Sequence, residues 1–300
     1  MTHFGDRLIE ANRQTGTPLC MGIDPHTDMI PRLFGDARAP LESDQAISTI
    51  NDFVLACLEI ACGEVAAIKP QVAFFEQQGP KGLQILKELS RAAIDLGVLV
   101  IMDNKRGDIG STCSAYAAGW IGHNAPFPSD AITINPWLGL DTLEPFLAAA
   151  DATSSGLFIL NRTTNPGSGD FQKKEVEGRP LFKHLAEMLS PMVKQRIGTT
   201  SVSSLGIVAG ATWSGELNEL RQSLPSAPFL IPGFGAQGAT AENATLGLVR
   251  GKRGWERGLI NSTRGLIFPK TATRSKSISD WKKSIKETIS LNKSLLNSKF

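Results

Sequence analysis

Eight short apolar runs recur along the chain, each followed by a turn and then a stretch with helical spacing. They are LCMGI (19–23), VAAIK (65–69), VLVIM (98–102), AITIN (131–135), GLFIL (156–160), LGIVA (205–209), FLI (229–231) and GLIN (258–261). None alternates apolar with polar residues, so each reads as a strand buried on both faces, as in a parallel sheet covered by helices. Eight β-then-α units in 300 residues suit a closed (β/α)8 TIM barrel, a fold that reaches about 250 residues as one domain. A doubly wound open sheet would normally carry G-x-G-x-x-G after its first strand, and here that turn reads GIDPHTD. The expectation is one α/β barrel over residues 1–300, with an N-terminal helix and a basic helix or tail from about 270 to 300.

The segments between the runs supply the helices. Ser43 is placed to cap a helix in which Ile47, Ile50, Phe53, Val54 and Leu58 recur at helical spacing. Leu83, Leu86, Leu89, Ala93 and Leu96 repeat the pattern, and Gly97 is placed to end it. Residues 163–180 are polar, Gly-rich and without periodicity, which predicts a long loop after the fifth strand. Residues 279–296 predict an amphipathic helix with Trp281, Ile285 and Ile289 on one side and a solvated lysine face on the other.

Composition narrows the function. A chain that is 41% hydrophobic and 20% charged is globular, neither disordered nor fibrous. The net charge of +2 divides into +6 over residues 270–300 and −4 over residues 1–269, which lacks the basic excess of a nucleic-acid binder. The cysteines (Cys20, Cys57, Cys62, Cys113) form no C-x-x-C pair and the four histidines no H-x-x-x-H spacing, so neither a zinc site nor a disulfide framework is legible. Cys57 and Cys62 sit in an apolar helical stretch and are expected to be buried thiols. The N-terminus lacks the apolar core of a signal peptide and no run approaches a membrane span, so a cytoplasmic enzyme with no membrane partner is expected.

In such a barrel the chemistry gathers at the C-terminal ends of the strands. Polar residues fall there repeatedly: Asp24, Lys69, Asp103 and Lys105, Thr164 and Asn165, Gln237 and Arg264. The densest stretch is MDNKRGDIGST (102–112). Asp103 and Lys105, two apart, leave the same face of an extended strand and can touch. Asp108 lies beyond Gly107 and should not share that face unless the loop folds back or a second subunit presents it. A salt-bridged surface loop would also account for this cluster, but a barrel mouth buries it. A lysine flanked by two carboxylates keeps its ammonium form, which suits proton donation rather than Schiff-base chemistry. In PGFGAQG (232–238), Gly233, Gly235 and Gly238 permit a sharp turn whose N–H groups face a phosphate; Gln237 adds a donor and Arg264 a fork of donors.

With GIDP (22–25), KPQVAFFE (69–76), DNKRGDIGSTCSAYA (103–117), TTNPGS (163–168) and PGFGAQG (232–238) in that order, the chain resembles the orotidine 5'-phosphate decarboxylase family in its longer bacterial branch. The resemblance covers nearly all of residues 1–269. It implies a cofactor-free carboxy-lyase converting orotidine 5'-monophosphate to uridine 5'-monophosphate, the last step of de novo UMP synthesis, in a homodimer with shared sites. On that resemblance Lys105 protonates C6 of the pyrimidine, Asp103 sits beside the departing carboxylate, and Asp108, Ile109 and Thr112 come from the partner subunit. Asp24 and Lys69 meet the ribose hydroxyls, Thr164 the pyrimidine, and Gln237 and Arg264 the phosphate. Three features depart from the family pattern: Thr164 stands where Ser is commoner, Cys113 where Ala is usual, and the basic tail after Lys270 is not explained by that pattern. The competing readings are a Mg2+-dependent sugar-phosphate decarboxylase or aldolase on the same barrel, with Asp24 and Asp103 as oxygen ligands, and a non-catalytic phosphometabolite-binding barrel.

Overall fold

The computed structural model describes residues 2–235 and 238–300. Eight parallel strands close into a barrel: β1 (Leu19–Ile23), β2 (Ala67–Pro70), β3 (Leu99–Arg106), β4 (Ala131–Ile134), β5 (Gly156–Arg162), β6 (Leu205–Ala209), β7 (Phe229–Ile231) and β8 (Gly258–Ser262). Each pairs with its neighbours in sequence, and β8 returns to β1 through Leu19↔Ile260 and Cys20↔Asn261. All eight expected runs are strands, with shifted ends: β2 starts two residues later than its apolar run, and β3 continues to Arg106.

The unbroken apolar runs serve two cores at once. Alternate side chains point inward, where Cys20, Ala67, Ile101, Ala131, Phe158, Leu230 and Leu259 fill the barrel; Met21, Ile68, Val100, Met102 and Ile132 point out against the helices. Helix α1 (Phe4–Thr15) joins the inner group through Phe4 and Leu8, and the Phe4 ring meets Phe158 edge-on at 5.9 Å. Asp6 ties α1 to the chain ahead of β6, accepting from Thr199 N (3.1 Å), Thr200 N (2.7 Å) and Thr200 Oγ1 (2.7 Å).

Outer helices follow the strands: α2 (Asp44–Ala61), α3 (Gly79–Asp95), α4 (Gly110–Ile121), α5 (Glu144–Thr153), α6 (Leu181–Lys194), α7 (Ser214–Ser223) and the short α8 (Ala241–Thr245). Ser43 caps α2 by accepting from Ala46 N, and Gly97 follows α3 with a left-handed φ of 73°, both as expected. Cys57 is buried, but Cys62 is exposed: α2 ends at Ala61, and the next residue turns outward. The 163–180 loop carries a 3-10 turn (Pro166–Asp170) and a two-residue hairpin pairing Glu175–Val176 with Arg179–Pro180.

The last helix, α9 (Ile278–Asn297), belongs to the helical layer. Trp281, Ile285, Ile289 and Leu296 are fully buried, with Trp281 edge-on to Phe34 at 5.0 Å. Two of its lysines pair with acidic residues on or just beyond α2, Lys282 with Glu59 and Lys293 with Glu64 (3.1 Å). Part of the basic excess of the tail is therefore spent on docking it. Among the described residues no helix is long and apolar enough to cross a membrane.

Candidate active site

A cavity of about 920 Å3 opens at the C-terminal end of the strands, as a barrel requires. Its floor is a row of alternating charge. Asp103, buried at the end of β3, receives Lys69 from β2 on Oδ2 and the Lys105 ammonium on Oδ1 at 2.5 Å. Gln71 Nε2 donates to Oδ2 (3.2 Å) and Thr133 Oγ1 to Oδ1 (3.1 Å). Asp24, from the end of β1, stands within the field of Lys69, Asp103, Lys105 and His26.

The contact between Asp103 and Lys105 is not made by a flat extended strand. The β3–β4 register shifts between Met102 and Arg106, and Lys105 has a left-handed φ of 45°. That conformation costs a non-glycine residue about 1–2 kcal/mol, and such residues cluster where geometry serves a site. Thr133 holds it by accepting from Lys105 N at 2.9 Å.

Burial alone would raise the Asp103 pKa, but the ammoniums of Lys69 and Lys105 outweigh it and hold this carboxyl well below the usual carboxylate range. Burial would likewise push Lys69 down, yet Asp103 and Asp24 carry it upward on balance. Asp24 is raised, chiefly by burial, with Lys69 opposing and Asp103 adding to the rise. The floor is thus an array of two carboxylates and two ammoniums, buried except at Lys105, whose side chain reaches the open cavity while paired to Asp103.

Asp24, Lys69, Asp103, Lys105, Thr164 and Arg264 all line this one cavity. The methyl of Thr164 has room because position 210 is glycine: a Cβ there would lie 2.5 Å from Thr164 Cγ2. Arg264 opens a single helical turn just after β8 and, like Gly233, lines the cavity. Gln237 lies outside the described residues.

Asp108, Ile109 and Thr112 are not brought into the cavity of their own chain. Asp108 Oδ1 accepts from Ile109 N (2.8 Å), and the buried Cys113 thiol donates to the Asp108 carbonyl (2.7 Å), which fixes the turn. Within a single chain the second carboxylate in the field of Lys105 is Asp24. Ile109 is 62% exposed at the start of α4.

Sequence reading missed Gln71, Thr133 and His26. Gln71 and Thr133 could have been found: one lies two residues past Lys69, and the other is the lone polar residue inside an apolar strand. His26 packs on Phe74, with ring centroids 4.2 Å apart, a contact between the loop after β1 and the helical turn after β2 that no local pattern signals. Trp137 and Phe171 meet at 5.3 Å on the rim and remain 66% and 60% exposed.

The fold and site define a (β/α)8 barrel with a lysine–aspartate array on the floor of its cavity. The family described as orotidine 5'-phosphate decarboxylase / HUMPS matches residues 17–268. Orotidine 5'-phosphate decarboxylase of Rhodopirellula baltica is 36% identical over 272 residues, 89% of each chain. That of Streptomyces coelicolor is 39% identical over 241 residues, 80% of this chain and 82% of its own. The solved Leishmania donovani OMP decarboxylase superposes with a TM-score of 0.71 at 30% identity, covering 97% of this chain and 99% of that one. The chain belongs to the orotidine 5'-phosphate decarboxylase / HUMPS family.

Proposed function

We propose that this enzyme decarboxylates orotidine 5'-monophosphate to uridine 5'-monophosphate, releasing carbon dioxide, in UMP biosynthesis. The observation that carries the reading is the Asp103 carboxylate held between two lysines, one buried and one facing the cavity. Cleavage of the bond from C6 to the carboxylate leaves its electron pair in the plane of the ring with little delocalisation. The Lys105 ammonium stabilises that pair and supplies the proton that forms the new C6–H bond, becoming a neutral amine. Asp103 and Lys69 fix the ammonium beforehand, so no reorganisation is spent at the moment of reaction. Catalysis on this scale asks for on the order of 20 kcal/mol of transition-state stabilisation.

Asp24 and Lys69 are assigned the ribose hydroxyls, Thr164 the pyrimidine, and Arg264 with Gln237 and the 233–238 turn the phosphate. Binding energy from this remote phosphate is then available to orient the ring. Asp108, Ile109 and Thr112 are assigned to a neighbouring subunit's site in a homodimer, because Ile109 and Thr112 are exposed, Asp108 is only half-buried, and none of the three lines its own cavity. Both oxygens of Asp103 are already taken by ammonium, amide and hydroxyl donors, which favours this reading over Asp103 as an oxygen ligand to Mg2+.

The test follows orotidine monophosphate to uridine monophosphate spectroscopically, with and without EDTA. Turnover insensitive to EDTA is expected, with kcat/KM falling about 10^3-fold or more in Lys105→Ala. Loss of turnover in EDTA would favour the metal-dependent reading, and nucleotide binding without turnover the silent binding protein.

A further inference from the structure

Arg162, the last residue of β5, is 1% exposed and is not part of the cavity wall, although Asn161, Thr163 and Thr164 beside it are. Burying a guanidinium is expensive unless its donors are met. Here Nε pairs with Glu216 of α7 at 2.5 Å, Nη1 donates to Ser168 Oγ (2.6 Å) and Gln172 Oε1 (3.3 Å), and the cation lies 4.1 Å from the Trp213 ring centre, while Nη2 has no hydrogen-bond partner among the described residues. Every one of these partners belongs to the loop after β5 or to the entrance of α7.

The same partners fasten the loop to itself. Gln172 Oε1 accepts from Thr163 N and Gln172 Nε2 donates to Thr163 Oγ1, both at 2.9 Å, so the two ends of the 163–172 segment are stitched together. Trp213 Nε1 donates to the Thr163 carbonyl at 2.8 Å. Lys173 closes the cluster on Glu216 (3.2 Å) and over the Trp213 ring (4.6 Å). The segment held this way presents Thr164 and Phe171 to the cavity.

We infer that Arg162 is a positioning residue: a buried cation that locks the 163–172 loop onto α7 and so sets Thr164 against the pyrimidine before substrate arrives. The inference rests on the proposed decarboxylation for its substrate but not for its mechanics. A loop ordered in advance spares the binding step the entropy of ordering it, and loosening it raises KM more than it lowers kcat.

The test uses the full chain with Arg162→Lys, Glu216→Gln and Trp213→Phe, the last keeping an aromatic ring, though a smaller one, while deleting the indole N–H. Amide hydrogen exchange over 163–172 is expected to rise about tenfold or more with strand amides unchanged. The KM for orotidine monophosphate is expected to rise about tenfold with kcat within about threefold, and less than additively when combined with Thr164→Ala. Unaltered exchange in that loop, or losses additive with Thr164→Ala, would overturn the inference. If Arg162→Lys does not fold, the Trp213 and Glu216 variants decide it by the same criteria. Absence of turnover in the wild type would sink the proposed reaction, while the exchange measurement would still judge the lock.

Discussion

Thr164 and Gly210 form a matched pair. Where the family pattern more often has Ser, this chain carries an extra methyl, and the space for it comes from the missing side chain on the neighbouring strand end. Gly210→Ala is therefore expected to push Thr164 off its position and lower kcat/KM about tenfold, with most of the loss recovered by adding Thr164→Ser. Steady-state kinetics of the two single variants and the double variant check this; equal loss in the double variant would mean Gly210 matters for another reason. Lys105 was legible as a residue but not as a geometry. Nothing in MDNKRGD announces a register shift or a left-handed lysine, because a bulge arises from how two strands pair, here β3 against β4. The Arg162 lock was illegible for a similar reason: Glu216 lies 54 residues further on, and only the fold brings the two together.

At the scale of elements, the barrel was readable because short unbroken apolar runs bounded by turns fit doubly buried strands, and eight of them with helices between leave few topologies. The strand ends were not readable: Asp103 to Arg106 are polar, and they extend β3 only because Gln71 and Ile134 offer backbone partners. Helix α1 shows how an element is held from outside its own sequence. Burial alone would raise the Asp6 pKa, but the hydrogen bonds from Thr200 and Thr199 together outweigh it and hold the carboxyl below its ordinary value. A depressed carboxyl stabilises the fold above its unfolded pKa of about 4 and loses that contribution as pH falls through the folded value. Asp6→Ala is accordingly expected to lower Tm at pH 7 by roughly 3 °C, with the difference from wild type shrinking below about pH 4. Thermal melts across pH 3–7 test this, and a difference independent of pH would show that the carboxylate charge is not what matters.

For the whole molecule, the proposed dimer makes a prediction from symmetry. If each cavity takes Asp108 from the other subunit, mixing Lys105→Ala with Asp108→Ala chains places both defects in one site of a heterodimer and leaves the other intact. Random reassortment is then expected to restore about one quarter of wild-type activity. No recovery, once mixed dimers are demonstrated by mass spectrometry, would mean that each subunit completes its own site.

Helix α9 bears on how this gene tolerates damage. Trp281, Ile285, Ile289 and Leu296 are fully enclosed, and the Leu296 carbonyl accepts from Trp255 Nε1 at 3.0 Å. A stop codon near position 277, or a protease nick there, would leave every residue named in the cavity intact while baring a greasy trough across α2. Such a shortened product is expected to be lost to inclusion bodies rather than recovered as a smaller working enzyme, which a solubility assay on expressed residues 1–276 would decide.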